Sequence, residues 1–346
     1  MTVYCGVDFH ARLQTVSFLD TSDGELHQQD LHHQEDDIRA FYSQFSGEVI
    51  VGLEASGYSR WFEQLLDDLG HQVLIGDATE IRRLARRRQK NDHRDADLIL
   101  ELLHRGEFPR LHRPPAQSLE VMRQLRYRHR LVKMRTMVKN SLHAIALGGG
   151  LSLQSKIGTA KSRQRLRALA LPLTLAHQRD EWLNLLDELD AKIVTVEQWL
   201  TAAAESNEQV MRLRTHPGIG LITSLALVHT LEPVARFPTA RKVVAYVGLD
   251  PVEHSSAEKK RYGSISKEGC RFLRFLLVET AQKAVGGDQE LKSFYYRLLQ
   301  RKERAKARVA VARKMLTRGY IMLRDQIDYA EFLRRGVEAR SARCVA

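Results

Sequence analysis

Apolar and polar positions along this chain follow two periods, one suited to strands and one to helices. Residues 2–9 are apolar and β-rich, and residues 12–19 alternate, with Thr15 and Ser17 set against Val16 and Phe18. Asp23-Gly24 is a turn signal, and a more polar run from Glu25 to His32 follows it. The pattern predicts a three-stranded antiparallel meander. A helix is predicted over 35–45, a buried strand over 48–53, an amphipathic helix over 59–69 closed by Gly70, and a further strand over 72–76. Residues 79–105 read as helical. The order βββ-α-β-α-β-α predicts a mixed sheet with helices on its faces.

Past that point the strand period disappears. Pro109, Pro114 and Pro115 mark a linker. A long helix is predicted from Ser118 to Leu147, with apolar positions Leu131, Met134, Val138, Leu142 and Ile145, and Gly148-Gly149-Gly150 breaks it. Trp182, Leu186, Leu189, Ile193, Val196 and Leu200 then step by four and three, a coiled-coil seam. A hairpin folding on itself and a dimer use such a seam equally well. From Val210 onward, Pro217-Gly218-Ile219-Gly220 lies between two helical patterns, a helix spans Phe237 to Val247, and residues 250–266 are polar and loop-like. Helices resume from Lys267 to Gly286 and from Glu290 to Arg324. These breaks divide the chain at 1–112, 113–205 and 206–346: an α/β domain, a helical coiled-coil middle and a mainly α C-terminal domain.

Charge adds a partner to this outline. The 346 residues carry 54 Lys and Arg against 42 Asp and Glu, a formal net charge of +12. Such an excess favours a polyanion, nucleic acid before an acidic membrane surface, although a generally basic protein without such a partner has the same charge. Cys5, Cys270 and Cys344 lie far apart, with no zinc-ligand spacing and no disulfide framework, which fits a reducing cytosol. No signal-peptide pattern opens the chain, and its most apolar stretch, Ala168 to Ala176, is cut by Pro172 and too short to cross a bilayer. The expected location is the cytoplasm, without membrane contact.

Against this basic background four acids stand out. Asp8 and Glu54 end apolar runs that read as buried strands, and Asp92 and Asp95 are three residues apart, on one helix face. Carboxylates gathered from separate elements can hold Mg²⁺, which prefers oxygen ligands and completes its shell with substrate phosphates. Taken singly, each acid has a plainer reading as a strand-end turn former or a helix N-terminal charge. The four together, on a βββ-α-β-α-β-α scaffold, favour a metal site.

Two further segments bear on phosphate chemistry. The glycines of Pro217-Gly218-Ile219-Gly220 leave backbone N–H groups free to approach a phosphate, although such turns also join helices for structural reasons. The loop His254 to Lys267 sets Ser255 and Ser256 among Lys259, Lys260, Arg261, Lys267, Arg271 and Arg274. An activated serine there is a candidate nucleophile, and the cations could stabilise charge developing on phosphorus. The plainer reading is a phosphate-binding loop whose serines only donate hydrogen bonds. Further candidate nucleic-acid contacts are Arg86, Arg87 and Lys90, then Arg126, Arg130 and Lys133, then Arg304 and Arg308, all in stretches with few acids. Aromatic residues are sparse along the basic helices (Tyr127, Tyr320), which argues against a base-stacking platform.

In combination these motifs resemble one family, the bacterial insertion-sequence transposases that join an N-terminal RuvC-like DEDD domain to a C-terminal serine-bearing domain, also called bridge-RNA-guided recombinases. Asp8 matches the acid of a G-[IV]-D strand, Glu54-Ala55-Ser56-Gly57 matches E-[AS]-[ST]-G, and Lys90 to Ala96 matches K-[TN]-D-x-x-D-A. Farther on, the match runs through Pro217-Gly218-Ile219-Gly220, Ala245 to Pro251, Ser255-Ser256, Ile265 to Gly269 and Arg271 to Arg274. The family's serine usually precedes glycine, where this chain has Ala257. Counting forward from Pro251 favours Ser256, and counting back from Ser266 favours Ser255.

The resemblance implies an RNase H/RuvC-like N-terminal fold and a DNA transposase or recombinase. In that mechanism serine attacks DNA phosphorus, assisted by Mg²⁺ on Asp8, Glu54, Asp92 and Asp95 in a composite site between subunits of a dimer or tetramer. It also implies a structured noncoding guide RNA that pairs with donor and target DNA. Two other readings fit the same residues: a RuvC-like two-metal nuclease whose serine loop only binds, and an inactive nucleic-acid-binding relic of a mobile element.

Overall fold

β1 (Thr2–Phe9) is the hinge of the N-terminal sheet. It pairs antiparallel with β2 (Leu13–Asp20), which pairs antiparallel with β3 (Leu26–His32). On its other side β1 runs parallel to β4 (Glu48–Glu54), which runs parallel to β5 (Gln72–Gly76), giving the order β3-β2-β1-β4-β5. The predicted meander and mixed sheet are both present. The computed structural model describes residues 2–33, 35–85, 91–152, 157–253 and 262–345.

Strand alternation sorts the side chains of β1 and β4 onto two faces. Val3, Cys5, Val7, Val49, Val51 and Leu53 join one core with residues of α1 (Glu35–Ser43) and α2 (Arg60–Asp68). The positions between them face the other way, where Tyr4, Ile50 and Leu74 pack with Ile81 of α3 (Ala78–Leu84) and Ile99, Leu102 and Leu103 of α4 (Asp92–His104). Asp8 and Glu54 share the parity of this second face.

The helix predicted over 79–105 is two helices. Ala85 turns extended after α3, and Asn91 begins α4 from an extended conformation, its side-chain oxygen accepting from the His93 N–H at 3.2 Å. Asp92 and Asp95 therefore occupy a first helical turn, where the free N–H groups favour negative charge.

Residues 2–113 belong to one compact unit and the rest of the described chain to another. In the second unit, α5 (Ala116–Gly148) and α7 (Leu173–Glu205) lie side by side, with the short α6 (Ala160–Arg167) between them in sequence. Arg128 pairs with Glu197 at 2.7 Å and Arg135 with Asp190 at 3.1 Å, so partners approach each other in sequence and the helices are antiparallel. Leu186, Leu189, Ile193, Val196 and Leu200 are buried, and with Leu131, Val138 and Leu142 of α5 they belong to one core. The seam is thus covered by α5 of the same chain. Met134, expected on the apolar face of α5, is exposed, because the buried stripe runs through Leu131, Val138, Leu142 and Ala146.

The same core continues through α8 (Glu208–Arg214), α9 (Leu221–Leu231), α10 (Ala240–Val247), α11 (Arg271–Gly287), α12 (Gln289–Leu299) and α13 (Arg304–Arg324), with α14 (Tyr329–Val345) last. The helix predicted from Phe237 starts only at Ala240, capped by the Thr239 hydroxyl, and ends as expected at Gly248 in the left-handed conformation. Part of the predicted loop 250–266 is a two-stranded ribbon, β6 (Pro251–Glu253) with β7 (Tyr262–Ile265). Its strands are three and four residues long, too short to show an alternation. No helix among the described residues is long and apolar enough to cross a membrane.

Candidate metal centre

Gly6-Val7-Asp8 on β1 and Gly52-Leu53-Glu54 on β4 run in register, Gly6 opposite Gly52 and Val7 opposite Leu53. The next pair along is Asp8 and Glu54, side by side at the carboxyl ends of parallel strands. α4 crosses the two glycines. A Cβ at Gly6 would collide with the Ala96 carbonyl oxygen and the Leu100 amide nitrogen, and one at Gly52 would lie 2.7 Å from Leu103 Cδ1. The bare backbone of β1 is the seat of α4.

Asp97 holds the helix from the side. Its Oδ1 accepts from Ser17 Oγ at 2.7 Å and from Gln28 Nε2 at 2.6 Å, tying α4 to β2 and β3. With α4 fixed, Asp8, Glu54, Asp92 and Asp95 line one cavity of about 670 Å³. All four acids singled out in the sequence line this cavity, and of the four Asp8 and Asp92 approach each other within the span of one ion.

The electrostatics of the cavity bear the marks of crowding. Burial pushes the Asp8 carboxyl above the usual carboxylate range; the charges of Asp92 and Asp95 push it further, and His10 opposes them. His10 Nε2 lies 3.2 Å from Asp8 Oδ2 and 3.6 Å from Asp92 Oδ2. Arg82 of α3 reaches Glu54 at 3.2 Å. Two cationic or hydrogen-donating side chains therefore sit against the carboxylates. Asp8, His10 and Asp92 can each offer one atom within 4.8 Å of the others, a spacing that one ion could span. The donors fit a hard divalent cation, since all four acids offer oxygen and no thiolate is present.

His10 and Arg82 were not singled out as site residues by sequence. His10 shares the parity of Asp8 two positions on, which was a usable signal. Arg82 belongs to a basic run, and only the path of α3 shows which of its arginines meets Glu54.

Other candidates are distributed over the second unit or lie outside the described residues. The latter group holds Ser255, Ser256, Arg86, Arg87, Lys90, Lys259, Lys260 and Arg261. Lys267 and Arg271 are exposed. Arg274 is half-buried, and its guanidinium donates to the carbonyls of Val247, at 2.8 Å, and Glu268, so part of its donor capacity holds the α10 terminus. Arg126, Arg130 and Lys133 form an exposed stripe on α5. Arg304 and Arg308 line a cavity of about 520 Å³ together with Lys292, Tyr295 and Tyr296, and no acid is among its lining residues. Gly218 of the Pro-Gly-Ile-Gly turn has φ +89°, and its Cα faces the backbone of Ala284, where a Cβ would lie 2.7 Å from the amide nitrogen. The turn's glycine therefore serves close packing of α11.

One constellation in this unit looks catalytic and is not. Ser118 Oγ lies 2.9 Å from His229 Nδ1 and donates to Glu232 Oε2 at 2.5 Å. His229 Nδ1, the nitrogen beside the hydroxyl, also lies 3.5 Å from Glu232 Oε2, so one ring nitrogen faces both partners, and Ser118 and His229 are buried. The trio is a satisfied polar cluster joining α5 to α9.

Comparison with known proteins places these features in a lineage. Residues 5–148 match the profile of a DEDD-type transposase family, and residues 210–296 match the one described as transposase IS116/IS110/IS902 family. The transposase for insertion sequence element IS1111A of Coxiella burnetii is 31% identical over 255 residues, covering 69% of this chain and 68% of that protein. The transposase for insertion sequence element IS1328 of Yersinia enterocolitica is 30% identical over 243 residues, covering 67% and 70%.

Proposed function

Because the chain belongs to the IS116/IS110/IS902 family of transposases and is a DNA transposase, we propose that it breaks and rejoins DNA with a serine nucleophile assisted by Mg²⁺ on its acidic cluster. The convergence of Asp8, Glu54, Asp92 and Asp95 on one cavity of a basic protein carries this reading. When bound there, Mg²⁺ supplies Lewis-acid stabilisation of charge on the phosphate oxygens.

The chain's own residues do the positioning. The Gly6 and Gly52 floor fixes the carboxylates, and Arg82, exposed at the cavity, offers its guanidinium to a phosphate oxygen. The hydroxyl of Ser256, or of Ser255, attacks phosphorus. A serine–phosphorus ester forms, the bond to one deoxyribose oxygen breaks, and that oxygen takes a proton and leaves as a 3′ or 5′ hydroxyl. Attack on the ester by a hydroxyl from another strand end releases the serine and rejoins DNA.

A cavity of about 1380 Å³ beside β6 and β7 is lined by Arg301, Lys302, Lys306 and Arg313, with Glu303 among them, and its excess of cations suits a phosphate backbone. The stripe of Arg126, Arg130 and Lys133 suits the backbone of DNA or of a structured guide RNA, with base pairing choosing the sequence. Exchange between two DNA sites calls for a dimer or tetramer.

One preparation tests these points together. Protein purified from cells carrying the flanking DNA should bring a discrete element-derived transcript, and with Mg²⁺ it should form a covalent protein–DNA adduct. The Ser255→Ala/Ser256→Ala double variant should form no adduct while binding DNA as before, and the single variants identify the nucleophile. Undiminished cleavage by the double variant would assign the reaction to a hydrolytic nuclease, a reading the assembled acids also favour. Recovery of random cellular RNA alone would remove the guide.

A further inference from the structure

Beside the acids, the same cavity has an aromatic wall. Tyr58 lines it and is 59% exposed, and Trp61 in the first turn of α2 is 41% exposed. Both lean on Phe9, the residue after Asp8, with ring centroids 6.5 and 5.9 Å away. Phe9 in turn stacks on the buried Phe62 at 5.4 Å, and His33 meets the Trp61 ring edge-on at 5.0 Å. Tyr58 and Trp61 thus pack on the core from one side while much of each residue's surface stays exposed.

These rings are held in place. Ser59 Oγ donates to the Ser56 carbonyl at 3.3 Å and to Glu63 Oε1 at 3.0 Å. Glu63 is buried and balanced by Arg60 and by Arg113 at 3.1 Å. The segment from Ser56 to Trp61 is therefore anchored at both ends.

A cation held by the carboxylates, together with Arg82, would engage a phosphate but offers nothing to the base beside it. Exposed aromatic side chains can supply that contact, because every base has a π face and stacking is tolerant of sequence. We propose that Tyr58 and Trp61 form a stacking ledge for an unpaired nucleobase of the DNA, next to the phosphate that the acidic centre addresses. The ledge rests on that assignment of the acids. It also revises the expectation drawn from the basic helices: the stacking rings accompany the acids instead of the cations.

The test uses the full chain with Ca²⁺ in place of Mg²⁺. The probes are a labelled oligothymidylate of about ten nucleotides and an abasic chain of the same length, which carries the same phosphates. Wild type should bind the base-bearing strand roughly ten- to hundredfold more tightly, the range expected for stacking. The Tyr58→Leu/Trp61→Leu variant should lose most of that ratio while keeping its affinity for the abasic chain. The Tyr58→Phe and Trp61→Phe variants should retain the ratio and check that the site is intact. Equal binding of the two probes by wild type, or an unchanged ratio in a natively melting Leu variant, would overturn the ledge. A large, ring-dependent ratio in a protein that never cleaves DNA would support the ledge and defeat the cleavage assignment alone.

Discussion

Asp8→Asn is expected to lower Mg²⁺-dependent strand cleavage by a factor of at least about a thousand, the scale on which loss of transition-state charge stabilisation is felt. The folded protein should nevertheless melt at the same temperature as wild type or higher. The stability half follows from the raised pKa of Asp8. A carboxyl whose folded pKa lies above its unfolded value favours its protonated form in the fold. Above its folded pKa the fold holds it ionised, and that opposes folding; the penalty is lost as pH falls through the folded pKa toward the unfolded value. An amide has nearly the same shape without the charge, so the repulsion from Asp92 and Asp95 is relieved. It is also a poor ligand for a hard cation. Activity assays and thermal melts on one preparation check both halves. Activity lost together with stability would indicate that Asp8 serves the fold.

Gly6→Ala is the second large effect. Its new methyl group meets backbone atoms of Ala96 and Leu100, which no rotamer change can move. α4 must shift bodily, at a cost of about 1–3 kcal/mol for overpacking. That shift carries Asp92 and Asp95 away from Asp8, and a misplacement of about 1 Å can cost roughly a hundredfold in rate. Gly52→Ala is the comparison, because its methyl group meets only the side chain of Leu103, which can yield. Melting temperature and cleavage rate should both fall further in Gly6→Ala. Equal, mild effects at the two positions would mean that α4 is not seated on β1 as described.

The contrast between these glycines shows what the sequence could reveal. The acids and the strands that end in them were legible because the signals are local: short apolar runs, strand alternation and the spacing of Asp92 and Asp95. The seat beneath α4 was not, since Gly6 and Gly52 are 46 positions apart and acquire their shared role only through the parallel register. The division between α3 and α4 was available in part, as Asn91 before an acidic first turn is a capping signal. The ribbon β6–β7 was hidden for a different reason: strands of three and four residues are too short to leave a hydrophobic period to read. Met134 was misplaced on the apolar face of α5 because its spacing fits the helical period, while contact with α7 selects the neighbouring stripe. The ledge needed Phe9, Tyr58 and Trp61 from two distant segments to meet, which only the folded chain shows.

The central claim is that acids from β1, β4 and α4 form one divalent-cation site. Crystals of the full chain soaked in Mn²⁺, measured for anomalous scattering, test it most directly. The expected result is an anomalous peak in the cavity, within direct coordination distance (about 2 Å) of Asp8 and Glu54 and of at least one of Asp92 and Asp95. His10 or Arg82 should be displaced from its carboxylate partner. Carboxylates still paired with His10 and Arg82 at millimolar Mn²⁺, with no peak between them, would contradict the account.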